Sequence, residues 1–162
     1  MTITRPYMRA RFALGYGLWR QGKRAEAQAH FEELLRLNPE DNQGARYVLV
    51  AVLLEQGKDE ETRRVMDRYG RDALSHWAYN RALLQFRQRG AHPSARRRLK
   101  RALSLNPYVP PLLLGQQQLR SGELRFIAPG DEDEALEYVQ LYKDAWAMTP
   151  GALEWLGGGD AP

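Results

Sequence analysis

The chain has 162 residues, of which 43% are apolar and 27% charged, with a net charge of +4, a composition suited to one domain with a buried core. It contains no cysteine, which excludes disulfides, thiolate metal sites and cysteine nucleophiles and fits a reducing compartment. The opening Met1-Thr2-Ile3-Thr4-Arg5-Pro6 lacks the apolar core of a signal peptide, and the longest apolar run, Tyr47 to Leu54, falls far short of the roughly 20 residues that span a bilayer. The expected location is therefore the cytoplasm.

In chain order, a first helix is expected from about Tyr7 to Gln21, opened by Pro6 and ended by Gly22. A second runs from Lys23 or Arg24 to Leu37, since Pro39 cannot continue it. A third begins near Asn42 and ends at Gly57. The fourth spans Asp59 to about Tyr69, with Val65, Met66 and Tyr69 as its buried side. The fifth covers Ser75 to Arg89 and stops at Gly90; the sixth runs from Pro93 to Leu105. Residues 108–129 hold Pro110, Pro111, Gly115, Gly122 and Pro129 and read as an irregular connection, with at most a short turn around Leu112–Gln116. Asp131-Glu132-Asp133-Glu134 then opens a seventh helix, since acids suit a helix start. Thr149-Pro150 starts a short last one, and residues 157–162 form a frayed tail.

Two periodicities organise these helices. Leu37-Asn38-Pro39 returns as Leu105-Asn106-Pro107, and 105 minus 37 is 68, twice 34. The flanks agree, with Ala27, Phe31, Leu34 and Leu35 answered by Ala95, Leu99, Ala102 and Leu103 at the i, i+4, i+7, i+8 spacing of one helical stripe. The inter-helix glycines Gly22, Gly57 and Gly90 keep nearly the same period. A helix–turn–helix unit of about 34 residues is the period of the tetratricopeptide class. At Leu14-Gly15, Ala27, Phe31, Leu34 and Pro39 the first unit resembles that consensus, as do Ala82, Ala95, Leu99, Ala102 and Pro107 in the third. The middle unit departs from it, with Thr62 and Met66 where alanine and an aromatic are usual.

The expected fold is thus an all-α solenoid of about three tetratricopeptide-like repeats with a C-terminal helical cap. The repeats occupy residues 1–107 (about 7–39, 42–73 and 75–107), the connection 108–129, and the capping helices 130–156. Trp146, Leu153, Trp155 and Leu156 are the residues expected to seal the sixth helix, because the last repeat would otherwise expose its apolar face. Asn106-Pro107-Tyr108-Val109-Pro110, Leu112-Leu113, Gly130-Asp131, Glu134-Ala135, Tyr138, Trp146 and Gly151-Ala152-Leu153 resemble the C-terminal part of the suppressor-of-tumorigenicity-seven family and of small bacterial tetratricopeptide proteins sharing that tail. That resemblance implies a scaffold role; the membrane segments of animal members have no counterpart here.

In the tetratricopeptide class the first helix of each repeat lines a concave groove. That rule implies an inner face of Arg9, Phe12, Tyr16 and Arg20, then Tyr47, Ala51 and Leu54, then Trp77, Asn80, Leu84 and Arg87. The partner-binding residues it selects are Arg9, Tyr16, Arg20, Tyr47, Trp77, Asn80 and Arg87, arginines beside aromatics suited to a protein or peptide with acidic and apolar anchors. The bland alternative is that the aromatics are core and the arginines solvated. The carboxylate clamp of chaperone-binding members is not matched, since Phe12, Tyr16 and Val48 occupy its places and only Arg81 is basic.

Charge is unevenly spread. Residues 1–101 carry 21 Lys and Arg against 11 Asp and Glu, and residues 102–162 carry 3 against 9. The two opposite excesses leave self-association between copies open. Arg96-Arg97-Arg98-Leu99-Lys100-Arg101 is the densest basic run, and a nucleic-acid-associated adaptor using that face is the alternative function. The helical stripe through Ala95, Leu99 and Ala102 favours a solvated convex face, and no RNA-binding signature accompanies it. Asp131 to Glu134 point in four directions without calcium-loop spacing. His30, His76 and His92 form no ligand pair, and no phosphate loop or nucleophile elbow occurs. No metal, cofactor or catalysis is expected.

Overall fold

The computed structural model describes residues 4–72, 74–117 and 129–159. Residues 118–128 of the expected connection and 160–162 of the expected tail lie outside the described residues. Every regular element described is a helix: α1 Arg5–Arg20, α2 Arg24–Leu37, α3 Ala45–Glu55, α4 Asp59–Arg68, α5 His76–Arg89, α6 Pro93–Leu105, α7 Val109–Leu113, α8 Glu132–Ala147 and α9 Ala152–Leu156. The chain divides into two compact units, residues 1–68 and 69–162.

In the first unit α1 and α2 form an antiparallel hairpin around Gly22, whose φ of 79° is the left-handed conformation glycine tolerates. Thr4 caps α1 by accepting from the Tyr7 N–H, and Pro6 sits in the first turn, where a missing N–H costs nothing. The two helices approach closely at Gly15. A Cβ there would lie 3.1 Å from the His30 Cβ and 3.2 Å from the Phe31 ring. Phe31 is wholly buried and meets Phe12 edge-on at 5.3 Å.

α3 is apolar all round and almost wholly buried, as such a helix must be. It begins at Ala45, three residues later than the periodicity predicts. Gly44 is left-handed, and the Asp41 carboxylate takes the N–H groups of Ala45 at 2.7 Å and Arg46 at 2.9 Å, fixing the start. At the other end of α3 the buried Glu55 carboxylate accepts from Trp19 Nε1 of α1 at 2.6 Å and from Arg24 Nε of α2 at 3.2 Å. One acid therefore ties three helices. α4 buries only Thr62 and Met66, the two positions that depart from the repeat pattern.

In the second unit α5 and α6 form the next hairpin. His92 is the N-cap of α6, its Nδ1 accepting from the Ser94 N–H at 3.1 Å. Val109–Leu113 is helical where an irregular connection is expected. Pro110 and Pro111 lie in its opening turn, where backbone N–H groups are unpaired in any helix.

α8 then packs beside α7 and lays its buried face on α5. Tyr138 donates to Asn80 Oδ1 at 2.9 Å and accepts from Trp146 Nε1 at 2.8 Å. Trp155 of α9 stacks on Phe86 at 4.8 Å, so the cap seals α5, where a seal on α6 is the sequence expectation. Glu134, fully buried, accepts from Asn106 Nδ2 at 3.0 Å, from the Ser75 and Gly130 N–H groups at 3.3 Å, and from the Ser75 hydroxyl. It joins the start of α5, the end of α6 and the start of α8.

Candidate functional site

Each of the seven sequence-selected residues has a definite place. Arg9, Tyr16 and Arg20 lie with Ala13 at i, i+4, i+7 and i+11 along α1, and all four are exposed. Trp19, buried beneath, organises this stripe. The Tyr16 ring meets it edge-on at 5.3 Å and the Arg20 guanidinium sits 5.2 Å from its ring centre. The Trp19 indole is itself fixed by Glu55. Thus the exposed aromatic and one exposed cation rest on a side chain that the core holds still. α1 contains four arginines and no acidic residue.

Tyr47 is half-buried near the start of α3. The Arg46 guanidinium stacks 4.3 Å from its ring and also donates to its hydroxyl at 2.9 Å, while Arg46 pairs with Asp41 at 2.9 Å. A Cβ added at Gly44 would lie 3.3 Å from this ring.

The three residues selected on α5 are engaged inside the second unit. Trp77 is buried and donates from Nε1 to the Tyr69 carbonyl at 3.0 Å. Asn80 is fully buried against Tyr138. Arg87 is half-buried, donating from Nε to Thr149 Oγ1 at 3.0 Å and from Nη2 to the Ala145 carbonyl at 3.5 Å. On the face of α5 that the class rule assigns to a groove, Asn80 and Arg87 thus meet α8 and the turn that follows it, and Trp77 meets Tyr69.

On α6 the basic run is exposed at Arg96, Arg97, Arg98, Lys100 and Arg101, with Leu99 half-buried and Ala95 and Ala102 turned inward. Beside it Leu103, Leu105 and Tyr108 are large apolar side chains left 38–44% exposed.

One concavity in the first unit draws on residues the sequence reading did not select. A pocket of about 430 Å³ opens between the first two turns of α1 and the α2–α3 connection. Its rim holds Arg5, Arg9, Asn38, Asn42 and Gln43, and its apolar lining Met8 and Leu37. Only Arg9 was visible from the helical stripe. The amides were not, because the pocket exists only once residues 37–43 fold back beside residues 5–9. Among the described residues no group of three or more potential metal-ligating side chains occurs, and no helix is long and apolar enough to cross a membrane.

The arrangement defines an all-α protein built from helix–turn–helix repeats. A family model described as tetratricopeptide repeat matches residues 18–85, from the last turn of α1 into α5, so this stretch is similar to that family. Such repeats generally mediate protein–protein interaction. Searches of curated proteins and of solved structures found no match.

Proposed function

We propose that this chain is a non-catalytic interaction module that binds an acidic protein or peptide through the exposed stripe of α1. The observation that carries this is the Arg9–Ala13–Tyr16–Arg20 stripe, with its aromatic and its terminal cation seated on Trp19 and no acid on the helix. A pre-positioned aromatic between two guanidinium groups gives an apolar anchor and charge steering together, and holding the side chains still lowers the ordering entropy on binding. Tyr47, clamped by Arg46, is a further candidate contact. Trp77, Asn80 and Arg87, engaged inside the second unit, are not part of this surface.

The test is crosslinking capture from the source cells with the wild-type chain and with a Tyr16→Ala, Arg20→Gln double variant. Both side chains are exposed, so the fold should survive, and helical circular dichroism checks this. Loss of the captured protein at unchanged helicity is expected; equal capture by both forms refutes the reading.

A second reading follows from the exposed basic row of α6: an adaptor associated with nucleic acid. Its signature is binding that falls steeply as salt rises, since each neutralised phosphate releases counterions. A mobility-shift titration on Arg97→Gln, Arg101→Gln against wild type decides it. No shifted band at low salt removes it. The C-terminal resemblance to the suppressor-of-tumorigenicity-seven family also stands as a proposal. In its support, Asn106, Gly130, Glu134, Tyr138 and Trp146, which carry it, are residues that bind α8 to the rest of its unit.

A further inference from the structure

The first unit places two guanidinium groups and three amides around a hollow that Met8 and Leu37 line in part. Arg5 and Arg9 are one helical turn apart, so their side chains are neighbours. Like charges at that spacing repel. Arg5 also stands in the first turn of α1, where the helix dipole disfavours a cation and where no acid compensates. Among the described residues neither is tied to a carboxylate. The nearby Asp41 is committed to the N–H groups of Ala45 and Arg46 and to the Arg46 guanidinium. Gln43, across the pocket, has its Oε1 buried with no hydrogen-bond partner among the described residues. A local arrangement that works against helix stability, with no acidic partner among the described residues, is the pattern expected of a site.

We infer that this pocket holds the carboxylate side chain of an acidic residue in a peptide segment, together with the apolar residue next to it. The inference rests on the acidic-partner reading above and locates an anchor for it. Arg5 and Arg9 supply charge-assisted donors to the carboxylate, the stronger class of hydrogen bond. Met8 and Leu37 cover the apolar neighbour, while Asn38, Asn42 and Gln43 offer both donors and acceptors. That mixture matches a peptide, whose backbone presents N–H and C=O groups in alternation. A bare inorganic oxyanion would leave the apolar lining unused. The pocket volume of about 430 Å³ holds one or two side chains.

The test uses the full chain and the blocked dipeptide acetyl-Glu-Leu-amide, followed by ¹⁵N chemical-shift titration of the asparagine, glutamine and arginine side-chain signals. Saturable shifts at Arg5, Arg9, Asn38, Asn42 and Gln43 are expected. Acetyl-Gln-Leu-amide and inorganic phosphate should bind at least about tenfold more weakly, since the first lacks the charge and the second the apolar contact. Arg5→Gln, Arg9→Gln should raise the dissociation constant by at least about tenfold. The melting temperature should stay equal or rise slightly, because the variant removes a repulsion; a purely structural role would lower it. Asn42→Ala, off α1 altogether, should weaken binding while leaving the stripe intact.

Shifts absent from these five side chains, equal binding of the glutamine dipeptide, or phosphate binding as tightly as the acidic dipeptide would each overturn the inference. The capture experiment separates it from the wider reading. If Tyr16→Ala, Arg20→Gln abolishes capture while the pocket variants change nothing, the pocket proposal fails and the stripe stands. If the dipeptide binds in the pocket but neither set of variants alters capture, the pocket stands and the stripe reading fails.

Discussion

Gly15 and Gly17 stand two residues apart on α1 and respond oppositely to an added methyl group. At Gly17 a Cβ would meet nothing within 4 Å. Alanine there gains helix propensity, and Gly17→Ala should stabilise the chain by up to about 1 kcal/mol. At Gly15 the same propensity gain competes with contacts of 3.1 Å to the His30 Cβ and 3.2 Å to Phe31. Phe31 is wholly buried and braced by Phe12, so it has little room to retreat. Overpacking of this kind costs about 1–3 kcal/mol, which exceeds the gain. Gly15→Ala should therefore destabilise, and urea denaturation of the two variants side by side reads the sign of each. The sequence pattern places a small residue at position 15, but the reason for it is the neighbouring helix.

Glu134 shows the same dependence on context more sharply. As one of four consecutive acids it reads as a helix-start residue, and the N-cap role does fall nearby, to Asp131, which accepts from the Glu134 N–H at 2.7 Å. The Glu134 side chain itself goes inward to Ser75, Asn106 and Gly130. Glu134→Ala should cost about 3 kcal/mol or more, since it leaves several buried donors unpaired. Glu132→Ala, exposed on the same turn, should change stability by less than about 0.5 kcal/mol.

At the scale of elements, the attachment of α8 to α5 is built from buried tyrosines. Burial pushes the Tyr138 hydroxyl far above its ordinary value near 10, and burial followed by the nearby Glu134 charge does the same for Tyr79. Both groups stay neutral in the fold and ionise near pH 10 when unfolded. Their stabilisation is thus complete below about pH 10 and is lost as pH rises beyond it, by up to about 1.4 kcal/mol per pH unit for each group. Thermal melts between pH 8 and pH 12 should show this decline. Tyr138→Phe should start lower, having lost its bonds to Asn80 and Trp146, but should decline less steeply above pH 10. An unaltered slope would mean that Tyr138 is not held neutral.

The helix ends follow a related logic. The expected bounds of α2 and α6 agree with those observed, because Pro39, Pro93 and Pro107 act through the local backbone. The start of α3 differs because Asp41 and Gly44 impose a cap. The helical turn at Val109–Leu113 was masked by prolines that equally suit a helix opening and a loop.

For the molecule as a whole, basic charge is concentrated in the part of the chain that carries both proposed interaction surfaces. Residues 1–101 hold 21 of the 24 basic side chains. The exposed arginines of α1 act across water, and the screening length falls from about 10 Å at 0.1 M salt to about 3 Å at 1 M. Binding of an acidic partner to the α1 stripe should weaken over that range without vanishing, because Tyr16 supplies an apolar contact that salt does not screen. Calorimetric titration at three salt concentrations checks this. Complete loss at 1 M would reduce the stripe to electrostatics alone.

Local signals along the chain mark the six repeat helices and their pairing, but not the start of α3 or the turn Val109–Leu113. The 34-residue period, the turn glycines and the bounding prolines act within a few residues of where they stand, and periodicity is a local signal. It also supplied the exposed half of the candidate site, since Arg9, Tyr16 and Arg20 share one face of a helix by spacing alone. Only the tertiary structure decided what became of the other half. Trp77, Asn80 and Arg87 obey the same spacing rule, yet Trp77 bonds to the Tyr69 carbonyl, and α8 and the turn after it, some 60 residues further along, engage Asn80 and Arg87. The same holds for Glu55, Glu134 and the pocket of Arg5, Arg9 and Asn42. Each depends on contacts between segments remote in sequence, and burial and hydrogen bonding there are set by which surfaces meet rather than by any repeat along the chain.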